Sequence, residues 1–258
     1  MKKTIIIFAV LTKIFGQSNH KNLIIDLTDK NGKDYNNVTI LSVEDKTFLK
    51  IINSSKPLIN FITKNNLINC VYNVRNAGDR DRSIGHYAEA SVMVLFTNNE
   101  EEKNNSILII KRKSNLRKHA GQIAFPGGRR EKTDKNLEET AQRETEEEVN
   151  ISRDKYEIIG HFPKFYTGTG YVVTPFLGIM DKDVEPQKLI KPNSDEVEKI
   201  LFVKANFLLS PKYQIREKPP LGSSMLMTWK IKYGTENIWG LTARVLVTIS
   251  AGLGLREF

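Results

Sequence analysis

Between Arg143 and Ile151 the chain reads RETEEEVNI, and three carboxylates, Glu144, Glu147 and Glu148, stand at i, i+3 and i+4. On a helix that spacing gathers them on one face. Like charges so placed destabilise a helix by roughly 0.2–0.5 kcal/mol per pair, whereas a hard cation with oxygen ligands turns the repulsion into coordination. Leu137, Ala141, Thr145 and Val149 recur at steps of four on an adjacent face suited to packing on a sheet. Just upstream, Phe125, Pro126, Gly127 and Gly128 make a tight turn after a strand, where main-chain carbonyls can approach a ligand or metal closely. Taken alone, the acidic face equally fits a solvated surface paired with the many lysines of the chain.

The elements that must position these groups are legible as alternating patterns. Strands are predicted at Ala90–Phe96, Ile107–Lys111 and Gln122–Phe125, a helix at Leu137–Val149, and strands near Glu157–Phe162 and Tyr171–Met180. Further strands follow at Val197–Val203 and Leu226–Lys232, before a closing helix from Leu241 to about Gly252. This order predicts a mixed α/β sandwich. Upstream, the chain is polar and rich in Asn and Lys, with one amphipathic helix predicted over Val43–Thr63 from the spacing of Phe48, Ile51, Ile52 and Leu58. A turn-prone, charged stretch from Asn76 to Ser83 precedes the first good strand. The organisation expected is therefore a targeting segment at 1–22, an accessory, partly helical region at 23–85, and the α/β domain at 86–258.

With 258 residues, 40% of them apolar and 27% charged, the chain can build a full core and is neither disordered nor fibrous. A net charge of +9 suits an anionic partner without choosing among nucleotides, nucleic acid and acidic membrane. Cys70 is the lone cysteine, which excludes an internal disulfide framework and a cysteine-based zinc site. No stretch reaches the length of about 20 apolar residues that crosses a bilayer, so no integral membrane segment is expected. The first residues carry Lys2, Lys3, Lys13 and Lys21, no acid before Asp26, and an apolar run from Ile5 to Leu11, which reads as a targeting segment. A basic, acid-poor start suits organelle import, and Lys-Lys before an apolar run suits a secretory signal.

Together, the Gly-Gly turn and the acidic helix resemble the Nudix box. That unit has a Gly, five spacers, a Glu, seven spacers, then Arg-Glu-aliphatic-x-Glu-Glu-x-Gly-aliphatic; Arg143, Glu144, Glu147, Glu148 and Ile151 match its second half. The resemblance implies a Nudix fold, an α/β/α sandwich with a mixed sheet, and Mg²⁺ or Mn²⁺ held by Glu144, Glu147 and Glu148 with help from a Gly127 or Gly128 carbonyl. It also implies that Arg143 orients the glutamates. Thr145 stands for the usual aliphatic residue and Asn150 for the closing Gly. The loop is one residue longer than the general pattern, so Lys135 falls where the first Glu belongs and Asp134 is the nearest acid.

That longer loop, with Leu108, Ile109, Arg112, Arg117, Gly121 and Phe125–Gly128 at matching positions, is similar to the coenzyme A diphosphatase branch. His119 and Gln122 also fit, and KPNSDEV (191–197) and IWGLTA (238–243) look like segments of its mitochondrial members. The resemblance spans roughly residues 88–252 and implies hydrolysis of coenzyme A or acyl-CoA to 3′,5′-ADP and 4′-phosphopantetheine or its acyl form. Arg112, Arg117, His119 and Phe125 are the substrate-binding candidates, the arginines because a planar guanidinium suits phosphate. Glu147 or Glu196 is the candidate base, beside Arg143 in the catalytic set. A mitochondrial address is expected from the basic start and these members. Secretory and peroxisomal addresses are the alternatives, although the C-terminal Arg-Glu-Phe is not a Ser-Lys-Leu-type signal.

Rival readings are a Nudix hydrolase of a dinucleotide, nucleotide sugar or capped RNA, a catalytically inactive Nudix-fold binding module, and a nucleic-acid binder using the basic surface. Tyr166 and Tyr171 leave room for base stacking, but no aromatic-rich RNA-stacking segment stands out, and the partner expected is a small molecule.

Overall fold

A computed structural model describes residues 23–28, 34–43, 46–51, 62–76, 86–97, 105–116, 118–182, 184, 192–193, 195–218 and 227–256. The chain divides into two compact units, Met1–Pro57 and Leu58–Phe258. In the first, β1 (Leu23–Thr28), β2 (Asp34–Val43) and β3 (Lys46–Ile51) form an antiparallel sheet in that order. Ile25 lies opposite Val38, and Ile40 opposite Leu49. The helix predicted over Val43–Thr63 is corrected over its first part, since Lys46–Ile51 is a strand; residues 52–61 lie outside the described residues. Phe48, Ile51 and Ile52 fit helical spacing, but KTFLKI carries the β-branched Thr47 and Ile51 and the aromatic Phe48, and β2 offers its backbone a complete ladder. The predicted targeting segment, 1–22, also lies outside the described residues.

The second unit begins at Leu58, upstream of the boundary expected near residue 85, because α1 (Lys64–Asn76) belongs to its core. Leu67, Cys70, Val71 and Val74 lie at i, i+3, i+4 and i+7 and are buried. Thr63 and Asn66 cap the helix reciprocally: the Asn66 N–H donates to Thr63 Oγ1 (3.2 Å) and the Thr63 N–H to Asn66 Oδ1 (2.9 Å).

The central sheet runs β11-β5-β4-β10-β8, from β4 (Ala88–Phe96), β5 (Ser106–Arg112), β8 (Tyr156–His161), β10 (Tyr171–Met180) and β11 (Val197–Lys204). β4 and β10 are parallel, and the other neighbours are antiparallel. Among the described residues β4 and β5 meet at one pair, Phe96 and Ile107. Beyond it they part, and two short strands fill the fork: β6 (Ile123–Ala124) pairs with β5, and β7 (Gly127–Arg129) with β4. A further strand, β9 (Phe165–Tyr166), pairs with β10.

Helices cover both faces, which is why β4 and β10 are apolar nearly throughout. On one face α2 (Leu137–Val149) buries Ala141 and Val149 against Met93, Leu95 and Phe176. On the other, α1 and α3 (Gly240–Gly252) pack with Val94, Phe96, Ile107 and Ile109. Strands β12 (Gln214–Glu217), β13 (Thr228–Tyr233) and β14 (Glu236–Trp239) make a small antiparallel sheet whose Ile231 and Ile238 join that core. The result is an α/β/α sandwich with a mixed sheet, as expected. Among the described residues no helix is long and apolar enough to cross a membrane.

Candidate active site

Three elements converge at the fork: the end of β5, the turn into β7, and α2. The start of α2 is fixed by Asn136, whose side chain accepts from the Glu139 N–H at 2.8 Å, with Glu138 and Glu139 favourably placed in its first turn. Its end is fixed by Asn150, left-handed at φ 58°, whose N–H reaches the Glu146 carbonyl at 2.9 Å. Between these caps Leu137, Ala141, Thr145 and Val149 face the sheet, and Glu144 and Glu148 turn toward the glycine turn.

Both glycines are required there. Gly127 has φ 154°, and a Cβ on it would collide with Ser91 and Val92 of β4. At Gly128 a Cβ would stand 2.5 Å from the Glu144 carboxylate. The turn is therefore a cradle into which carboxylates descend against bare backbone.

Glu148 is the most enclosed of the three glutamates, its side chain 3% exposed. Its Oε2 accepts from the Gly127 N–H at 3.0 Å and its Oε1 from Arg112 Nη1 at 2.9 Å. Burial pushes its carboxyl up to about 7, against the pull of Gly127 and Arg112, and the charges of Glu144 and Glu196 add to the rise. Glu144 is also raised, chiefly by burial, with Arg143 opposing and Glu147 and Glu196 contributing. Arg112 extends Nη2 to Glu196 Oε2 at 3.4 Å, and the Glu196 carbonyl accepts from the Lys113 N–H at 2.9 Å, which ties the loop before β11 to the end of β5.

Arg143 is the second organiser. Its Nη1 donates to Glu144 Oε1 and Glu147 Oε2, both at 2.9 Å, and its Nη2 to the Arg129 carbonyl at 3.2 Å. Its Nε and Nη2 also grip Asp134 in a two-pronged pair at 3.0 and 3.1 Å. Asp134 further accepts from the Glu131 N–H at 2.8 Å and the Thr140 hydroxyl at 2.9 Å. The Arg143 guanidinium, with these two donors, holds the Asp134 carboxyl down at about 2 despite burial. The acid of the lengthened loop is thus the anchor of Arg143. The sequence offered Asp134 as a stand-in and did not name this partner, which lies nine residues away.

The expected convergence of Glu144, Glu147 and Glu148 is modified by these arginines. Among the described residues no three Asp, Glu, His or Cys side chains close on a common point tightly enough to hold a metal. Instead, Arg143 takes Glu144 and Glu147, and Arg112 takes Glu148. The donor set nonetheless fits a hard divalent cation, with carboxylate oxygens at graded depths around a turn that no Cβ obstructs. Of the other candidates, Phe125 is 3% exposed and sits in the core, so it supports the turn from beneath and does not offer its ring to a ligand. His119 is exposed at φ 56°, with Nδ1 3.0 Å from Gln122 Oε1. Arg117 lies outside the described residues.

The sequence model of the NUDIX domain matches residues 88–221, just over half of the chain. The chain belongs to the Nudix family. Nudix hydrolases cleave pyrophosphate bonds and generally use divalent cations, typically Mg²⁺ or Mn²⁺. Curated relatives carry the name "Uncharacterized Nudix hydrolase NudL". The one from Pectobacterium atrosepticum is 35% identical over 141 residues, covering 54% of this chain and 70% of the relative. One from Escherichia coli is 34% identical over 149 residues, covering 57% and 75%. Among solved structures, a MutT/nudix family protein from Enterococcus faecalis is 16% identical, covers 73% of each chain and has a TM-score of 0.41. The MutT protein from Methanosarcina mazei is 23% identical with a TM-score of 0.38, covering 50% of this chain and 84% of its own. Membership rests on the sequence matches. The mitochondrial address expected from the sequence does not stand, because these NudL relatives are bacterial proteins and the likeness extends equally to chains with no such organelle to enter.

Proposed function

We propose that this Nudix hydrolase cleaves the diphosphate bond of coenzyme A or an acyl-CoA to 3′,5′-ADP and 4′-phosphopantetheine or its acyl form. The observation that carries the reading is the 2.9 Å bond between Arg112 and Glu148, which joins the upstream arginine motif to the acidic helix in one site. A phosphate-binding guanidinium at that place suits a substrate with a diphosphate, and coenzyme A carries a further phosphate for Arg117. A dinucleotide, nucleotide sugar or capped RNA is the rival substrate, without this upstream motif in its favour.

When bound, Mg²⁺ or Mn²⁺ would neutralise the diphosphate and lower the pKa of a bound water. Glu144, Glu147, Glu148 and the Gly128 carbonyl would hold it. Arg143 keeps Glu144 and Glu147 in register and is itself fixed by Asp134. Glu147 or Glu196 takes the proton from water. Both are about half exposed, so either can pass that proton to solvent, and Glu196 lies beside the arginine that would hold the substrate. His119, at the exposed rim of the loop, contributes a phosphate contact.

The test is incubation of purified protein with coenzyme A and acetyl-CoA, with Mg²⁺ or Mn²⁺ and with chelator, in parallel with NADH and capped RNA, resolving products by chromatography. Metal-dependent release of 3′,5′-ADP at a rate above the other substrates supports the reading. Faster cleavage of another diphosphate refutes the substrate and leaves the reaction class.

A further inference from the structure

Arg112 is oriented to serve two ligands and has one guanidinium to do it with. Its Nη1 is spent on Glu148 (2.9 Å) and its Nη2 on Glu196 (3.4 Å). Its Nε is buried without a hydrogen-bond partner among the described residues. A guanidinium can donate five hydrogen bonds, so a buried Nε left without an acceptor shows that the side chain is held by its carboxylates in a place that does not satisfy it. The backbone is not free to follow a ligand, because the Arg112 N–H is bonded to the Gln122 carbonyl at 2.9 Å and Val197 pairs with Arg112 across β5 and β11. Only the side chain can move. Glu148, by contrast, has a second hold that needs no arginine, the Gly127 N–H at 3.0 Å.

Resting on the proposed metal and phosphate site, we infer that Arg112 is a binding residue that exchanges partners. In this structure it occupies the Glu148 oxygen that a divalent cation would claim. On metal binding it is displaced and turns its Nη1 and orphaned Nε onto a phosphate oxygen of the substrate. Cation and phosphate thereby bind cooperatively: each pulls one end of the Arg112–Glu148 pair away from the other, and by linkage each tightens the other by the same factor. Gly127 keeps Glu148 in place throughout.

The experiment uses the full chain at pH 8.5 and reads Mn²⁺ affinity from the free-ion electron paramagnetic resonance signal, with and without sulfate as a tetrahedral dianion. In the native protein sulfate tightens Mn²⁺ binding several-fold. In Arg112→Gln, Mn²⁺ alone binds about tenfold tighter than in the native protein, the size of one charge-assisted hydrogen bond, and sulfate no longer changes it. Arg112→Lys is the second variant, for the case in which the first does not fold. It keeps the charge but loses the fork, so a purely Coulombic arginine leaves the sulfate effect intact, whereas partner exchange abolishes most of it. Weaker Mn²⁺ binding in Arg112→Gln, an equal sulfate effect in native and variant protein, or no Mn²⁺ binding by the native chain overturns the inference. The readout involves no turnover, so a failure of the coenzyme A assay with these results intact removes the substrate and leaves the exchange.

Discussion

Asp134→Asn removes one charge, keeps the shape, and isolates the anchor of Arg143 from any metal role. The carboxyl is held at about 2 against an ordinary value of 3.8, its side chain 2% exposed, with Arg143 as the largest cause and the Glu131 N–H and Thr140 hydroxyl assisting. Such a shift is equivalent to about 2.5 kcal/mol. Arg143 keeps Glu144 and Glu147 after the substitution, and the loop borders solvent, so the expected loss is about 1.5–2 kcal/mol at pH 7. For a depressed acid the stabilisation is complete above the unfolded pKa and disappears as pH falls through the folded one. The difference between native and variant protein is therefore constant from pH 7 to about 5 and shrinks between about 4 and 2. Urea unfolding followed by tryptophan fluorescence across pH 7 to 3 measures it. A variant as stable as the native chain at pH 7, or a difference that widens as pH falls, would refute the assignment of Asp134 as the partner that holds Arg143.

Glu148→Gln should lower turnover of the best diphosphate substrate by about 100-fold or more while leaving the circular dichroism spectrum unchanged; undiminished turnover would remove Glu148 from the site. Gly128→Ala places a methyl 2.5 Å from the Glu144 carboxylate, so Mn²⁺ affinity should fall at least several-fold, with a stability cost of about 1–3 kcal/mol in thermal melts. In chelator, native protein should lose stability as pH rises from about 4.5 through 7, because Glu148 is raised to about 7 and its charged form is the one that burial penalises. Saturating Mg²⁺ or Glu148→Gln should each flatten that slope, and a slope that persists in Glu148→Gln would assign it to another group.

The strands and the acidic helix were legible because local patterns and tertiary packing agree. Leu137–Val149 is the helix expected, its i+4 stripe faces the sheet, and Asn136 and Asn150 cap it where the sequence changes character. Tyr171–Met180 is likewise the strand expected, an apolar run bounded by turn residues. The upstream region was misread where local spacing and strand pairing compete: Phe48 and Ile51 fit a helical face, but pairing with β2 decides for a strand. The helix Lys64–Asn76 went unnoticed because three of its first six residues are Asn, although Leu67, Cys70, Val71 and Val74 carry a complete helical stripe. At the site, residue types were legible and partners were not. Arg112 was read as a phosphate ligand, yet its contacts here are Glu148 and Glu196, 36 and 84 positions away, and only the fold brings them together.

The fork between β4 and β5 divides labour in this enzyme. The proposed metal ligands lie on the β7 arm and on α2, which are locked to β4 by Ser91, whose hydroxyl holds the Leu137 carbonyl at 2.7 Å, and by the Gly128 pairing. The proposed phosphate ligand lies on the other arm, where Arg112 ends β5 and the chain returns as β6. Between its ends, where the Lys113 N–H holds the Glu196 carbonyl and the Gln122 carbonyl holds the Arg112 N–H, that return carries none of the glutamates of α2. A scaffold of this kind invites exchange of substrate pockets by loop grafting between Nudix domains, with the cutting edge left as it stands.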